Sequence, residues 1–273
     1  MNDYRPGNFS ILPVVIKNLM IINALIYFAT ITMPKEIQVW IDHMFALHYV
    51  GSDLFKPHQI VTHIFMHGSF GHLFNNMFSL WIFGSILENY VGPKRFLTFY
   101  MACGIGAALC YMGVVAWENH QLTIMANQFL NNPTYENLLD LERKFNLGYI
   151  TNKGIDGLLA ALHANPNNVT AIDTGRFFVT DAVAAYRNIP MVGASGAVYG
   201  ILFGAAYLFP NMLLYIYFLF PVKLKYAAAF MIIMEVVMAV QNNPGDNVAH
   251  FAHLGGVLFS FLLLRAWTRR GRQ

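Results

Sequence analysis

Long apolar runs leave this chain little choice of fold. Stretches at about 16–33, 70–91, 96–117, 195–210, 224–240 and 249–267 carry few charges. All but the fourth approach the roughly 20 residues that a helix needs to cross a bilayer's hydrocarbon core. That core offers backbone groups no hydrogen-bond partner, so such runs must fold as helices. Composition agrees: 56% of the 273 residues are hydrophobic and 11% charged, against about a quarter charged in soluble proteins. The expected fold is an all-α polytopic membrane protein with six transmembrane helices. A net charge of +3 is too small to argue for a nucleic-acid partner; the partner that composition implies is the lipid bilayer.

Six crossings put both termini on one side. That side and its loops would carry Arg5, Lys17, Lys94, Arg95, Lys223, Lys225, Arg265, Arg269, Arg270 and Arg272, opposed by only Asp3 and Glu88. The bias of Lys and Arg predicts cytoplasmic termini. The first apolar run lacks a small-residue cleavage site. The expected location is therefore a plasma (inner) membrane of bacterial type.

Two segments interrupt the pattern. Residues 34–69 are too polar to cross yet hold Trp40, Phe45, Tyr49, Phe55 and Phe65, as suits a loop half sunk among headgroups. Residues 118–190 read as a soluble, mainly helical, non-cytoplasmic insertion between the third and fourth spans. Asn132-Pro133-Thr134 and Asp156 each precede a helix pattern there. The expected division is a membrane body of 1–117 and 191–273, with the insertion 118–190 inside it. Cys103 and Cys110 share one face of an apolar run and read as reduced packing residues.

Polar groups inside apolar helices are costly, and each needs a reason. Ser195 opens the fourth run in Gly193-Ala194-Ser195-Gly196, and His253 lies near the start of the sixth in Ala252-His253-Leu254-Gly255-Gly256. Both sit toward the membrane side opposite the termini. Gly196, Gly200 and Gly204 line one face of the fourth helix, and Gly256 and Ser260 one face of the sixth. Small residues four apart let transmembrane backbones approach closely, which would bring the Ser195 hydroxyl to the His253 imidazole. Serine becomes a competent nucleophile when a base takes its proton, and His is suited to that task. Taken alone, the glycine face is a packing surface with an incidental serine; His253 beside it reverses that judgement. In His67-Gly68-Ser69-Phe70-Gly71-His72-Leu73-Phe74-Asn75-Asn76, His72 and Asn76 are four apart on one helix face. They are either structural hydrogen-bonding residues or donors to a developing oxyanion.

These motifs together resemble the rhomboid family of intramembrane serine proteases. The resemblance rests on His72 and Asn76, on GASG with Ser195, on Tyr199 four residues later, and on AHLGG with His253. It extends over 1–117 and 191–273 but not over the insertion. It implies a six-helix rhomboid-like bundle whose site opens to the non-cytoplasmic side. It also implies a serine-type endopeptidase acting on transmembrane protein substrates, without cofactor or metal. Ser195 would be the nucleophile and His253 the general base and acid. His72, Asn76 and the Ser195 N–H would hold the oxyanion; Gly193 would support the site, and Tyr199 would pack on the His253 ring. The family uses a Ser–His dyad without a carboxylate. This chain is expected to agree, because no acid lies beside either residue in sequence and the nearest, Asp246, reads as a loop residue.

The chain departs from the family at His58-Gln59, where many members carry a Trp-Arg pair. A competing account gathers His63, His67, His72, His250 and His253 into a metal cluster, but no HExxH motif or accompanying carboxylate supports it. His67 and His250 are expected to hydrogen-bond around the site. A catalytically silent rhomboid-like protein that binds transmembrane clients is the other rival; such relatives usually lack the Ser or the His. Glu235 is the one acid in mid-span. An intramembrane carboxylate is functional by default, the alternative being that it is protonated or paired with a neighbouring helix. Met231, Met234 and Met238 near it read as lipid-facing, or, as the resemblance implies, as a flexible face for substrate entry. Glu88 reads as a structural hydrogen-bonding residue.

Overall fold

A computed structural model describes residues 9–216, 220–240 and 247–270. Asp246 lies outside them. The first helix, α1 (Val14–Ile31), begins where Pro13 leaves the backbone extended. Its first amides are satisfied from another helix: Glu88 accepts from Val15 N–H and Ile16 N–H, each at 3.0 Å. Glu88 is therefore a helix cap supplied in trans, a carboxylate against a positive helix terminus. The amphipathic α2 (Lys35–Phe45) buries none of its residues, in keeping with an interfacial position. A short α3 (Gln59–Thr62) and a 3₁₀ turn (His63–Phe65) follow.

The second apolar run forms α4 (Phe70–Ser79), a π turn (Leu80–Gly84) and α5 (Ser85–Val91). Ser69 caps α4 by accepting from the His72 N–H at 3.1 Å. Gly92, at φ +82°, reverses the chain and Pro93 starts α6 (Pro93–Asn131), as suits proline at a first helical position. This helix runs unbroken through the expected boundary at 117/118.

The segment after α6 holds α7 (Tyr135–Phe145), α8 (Leu147–Thr151), α9 (Asp156–Ala164) and α10 (Val169–Arg187). Thr134 caps α7 through the Asn137 N–H, and Asn168 caps α10 through the Ala171 N–H. Leu122 and Phe129 of α6 share an apolar core with Leu138, Leu141, Phe145, Leu162 and Val179. The end of α6 is thus one wall of this helical cluster.

The remaining apolar runs form α11 (Ser195–Leu208), α12 (Leu224–Val240) and α13 (Asn247–Arg270). Val14–Ile31, Pro93–Asn131 and His250–Trp267 are each long and apolar enough to cross a membrane, and Ser195–Leu208 is a shorter apolar helix. The expectation of an all-α chain needs one correction. Strands β1 (Leu213–Ile216) and β2 (Phe220–Lys223) pair antiparallel, Leu213 opposite Lys223 and Ile216 opposite Phe220. Aromatic and β-branched residues favour a pleated pair, and Pro221 is tolerated because a two-stranded sheet is all edge.

Helix α11 lies against α6 and α13 along its glycines. A Cβ on Gly196 would sit 2.3 Å from Ala107 Cβ; one on Gly200 would sit 2.7 Å from Cys103 Cβ and 2.9 Å from Gly256 O. One on Gly256 would sit 1.9 Å from Gly196 O. Both cysteines are free and pack against these backbones, Cys103 at Gly200 and Cys110 at Gly255. The spacing of small residues thus becomes three helices in near backbone contact, and Ser195 sits at the top of the seam.

Candidate active site

The loop that delivers Ser195 is tied down before the helix begins. Leu47 and Met191 exchange backbone hydrogen bonds of 2.9 and 2.8 Å, and Gly193 N–H donates to His63 O at 2.9 Å. Ser52 Oγ donates to Asn188 Oδ1 at 2.6 Å. Gly193 has φ +125°, and a Cβ there would lie 2.7 Å from His72 Cε1 and Nε2 and 3.7 Å from Asn76 Nδ2. Glycine is required on both counts, and the same distances put His72 and Asn76 beside the serine loop. Ser195 is the first residue of α11, where N–H groups have no intrahelical acceptor.

The loop at 43–56, to which this segment is tied, is held by Gln59, fully buried. Its Oε1 accepts from His48 N–H at 3.2 Å and Lys56 N–H at 3.1 Å, and its Nε2 donates to His43 O and Leu54 O, both at 2.9 Å. His58 Nε2 lies 2.7 Å from Met44 O. Where the family's Trp-Arg pair is missing, one amide spends both its acceptor and its donors on four backbone groups.

Between α11 and α13, His253 Nε2 stands 2.8 Å from Ser195 Oγ. The Tyr199 ring stacks on the His253 ring with centroids 4.3 Å apart and planes 12° apart. The expectation that no acid stands beside these residues is overturned. Glu235 Oε2 lies 3.0 Å from His253 Nδ1 and 2.6 Å from His250 Nδ1, while Tyr199 Oη–H donates to Glu235 Oε1. Glu235 is the carboxylate that sequence proximity could not find. One signal was available: Glu235 lies five residues before the end of α12 and His253 six after the start of α13. At 1.5 Å per residue those are similar depths, about 7.5 and 9 Å.

Buried Asn76 Nδ2 and both ring nitrogens of His67 have no hydrogen-bond partner among the described residues. His67 instead meets the His72 ring edge-on at 5.1 Å, while His250 takes the role expected of it through Glu235. The five-histidine cluster needs redrawing too, because a carboxylate does accompany His250 and His253. Glu235, His250 and His253 each offer one possible ligand atom, all within 4.8 Å.

Fold and site together define a helical membrane protein with a hydrogen-bonded serine and histidine, both half-buried, between apolar helices. The chain belongs to the rhomboid family: the Rhomboid domain model matches residues 55–123 and 145–270. The match therefore enters the segment 118–190 that the motifs had left out. Among curated proteins, the chain is 24% identical over 223 residues to RHOMBOID-like protein 12, mitochondrial, of Arabidopsis thaliana, covering 81% of this chain and 49% of that protein. It is 27% identical over 242 residues to an uncharacterised mitochondrial rhomboid protein of Schizosaccharomyces pombe, covering 83% and 57%. The chain spans about half the length of these relatives.

Both relatives are named mitochondrial, which overturns the expected plasma (inner) membrane with cytoplasmic termini. The physical reason is simple. An asymmetry of Lys and Arg orients a chain across a bilayer without saying which bilayer it is.

Proposed function

We propose that this protein is an intramembrane serine endopeptidase cutting peptide bonds in or near transmembrane segments of membrane-protein substrates. The observation that carries the reading is the 2.8 Å contact of Ser195 Oγ with His253 Nε2 at the head of an apolar helix. Ser195 Oγ attacks the scissile carbonyl carbon as its proton passes to His253 Nε2. The oxyanion is received by the Ser195 N–H, Asn76 Nδ2 and His72. Collapse of that intermediate releases the amine, which takes the proton from His253, and a water repeats the cycle on the acyl-enzyme. The bundle is read as six spans, with α4–α5, α11 and α12 joining the three long helices, and residues 118–190 as an insertion between the third and fourth. The names of the relatives support a mitochondrial membrane.

Purified protein should cleave a model transmembrane substrate, and Ser195→Ala should not. His253→Ala should lose about as much, because members of one catalytic unit are not additive. Equal turnover by wild type and Ser195→Ala sinks the reading. A second reading has the Glu235, His250 and His253 donors behind it: hydrolysis assisted by a bound cation. It predicts loss of activity with a chelator and indifference to serine-directed reagents.

A further inference from the structure

The Ser–His contact leaves the second nitrogen of His253 to be accounted for. A neutral imidazole carries one proton, on Nδ1 or on Nε2. With the proton on Nε2, the ring donates to Ser195 Oγ and cannot accept from it. With the proton on Nδ1, the Nε2 lone pair faces the hydroxyl and the ring is a base. The choice is set by whatever lies opposite Nδ1.

What lies there is a carboxylate oxygen. Glu235 Oε2 stands 3.0 Å from His253 Nδ1, and a carboxylate oxygen accepts. The group is held from two other helices. Tyr199 of α11 donates its hydroxyl to Oε1 while its ring stacks on His253. His250 of α13 brings its Nδ1 to within 2.6 Å of Oε2. Three side chains therefore converge on one buried carboxylate, and one of them, Tyr199, orients both the acid and the imidazole. Packing alone explains none of this convergence, because an apolar residue at 235 would fill the same place without a donor reaching for it.

We propose that Glu235 is a positioning residue for His253, so that this family member works with a Ser195–His253–Glu235 set rather than the expected dyad. The inference rests on the serine-peptidase reading. Glu235 keeps the His253 proton on Nδ1 in the resting enzyme and faces the imidazolium formed while Oγ attacks; it does not touch substrate.

The test uses the full chain in lipid with a model transmembrane substrate, comparing wild type, Glu235→Gln and Glu235→Asp. An amide can present its NH₂ to Nδ1 and reverse the tautomer, a change that costs about 10⁴-fold in kcat in a soluble serine protease. Glu235→Gln is expected to lower kcat about 10³–10⁴-fold with KM nearly unchanged, and Glu235→Asp to recover part of the loss. Nitrogen-15 resonances of the His253 ring should report Nδ1–H in wild type and a shift toward Nε2–H in Glu235→Gln.

A Glu235→Gln protein with wild-type kcat and the wild-type tautomer overturns the proposal and leaves the dyad standing. So does a variant whose folded yield drops while turnover per folded molecule and the ring resonances stay unchanged, because the acid then only ties helices together. If wild type and Ser195→Ala turn over equally, the peptidase reading fails instead. The ring resonances still test the carboxylate's hold on His253, since they need no turnover.

Discussion

Buried Asn76 Nδ2 lacks a partner among the described residues, and leaving such a donor unpaired costs about 1–3 kcal/mol. The cost is explicable if the amide is aimed at charge that exists only during reaction. On that argument Asn76→Ala should lower kcat about 10²–10³-fold while leaving KM and thermal stability nearly unchanged, as steady-state kinetics and a melting curve would show. A purely structural Asn76 would move the melting temperature instead. Ser195 and His253 could be found from sequence because a hydroxyl and an imidazole in apolar helices are conspicuous. Glu235 was just as conspicuous, but its partner lies on another helix, and residue spacing does not say which helices touch. Counting residues from the end of α12 and from the start of α13 would have joined them.

At the scale of elements, the seam between α11 and α13 was readable in the glycines, and its consequence is testable. A Cβ on Gly256 would lie 1.9 Å from Gly196 O, so the helices must part. Gly256→Ala should lose most labelling of Ser195 by a fluorophosphonate while circular dichroism stays helical. The loop before α4 was less readable. Its anchor is a single glutamine reaching four backbone groups, and nothing in amphipathic patterning reveals such a contact. That loop also predicts a pH dependence. Burial pushes His63 down from 6.5 to about 4, and its Nδ1 bonds Gln59 O at 2.9 Å. A depressed folded-state value contributes stability that is present above the unfolded value and lost as pH falls through the folded one. Melting temperature should therefore fall between about pH 6.5 and pH 4, and His63→Gln should flatten the slope by removing this residue's share. An unchanged slope in that variant would rule His63 out.

For the whole molecule, the helical cluster after α6 returns to where it left. Tyr186 donates its hydroxyl to Glu118, so the two ends of the segment lie side by side. A short Gly/Ser link replacing residues 120–185 should leave the membrane body folded, with Ser195 still open to a fluorophosphonate; aggregation on purification would show that the body depends on the cluster. The apolar runs announced the bundle because a bilayer permits little else. The cluster announced only its helix starts, since its core is built from residues far apart in sequence.

The three ties at Asn188, Met191 and Gly193 have a mechanical meaning. They fasten the chain to the loop at 47–63 just before it reaches the nucleophile, like a rope belayed short of its load. A displacement of α10 would load those pegs before it reached Ser195. The cluster and the serine thus share two attachments, the pegged segment after α10 and the continuous rod of α6.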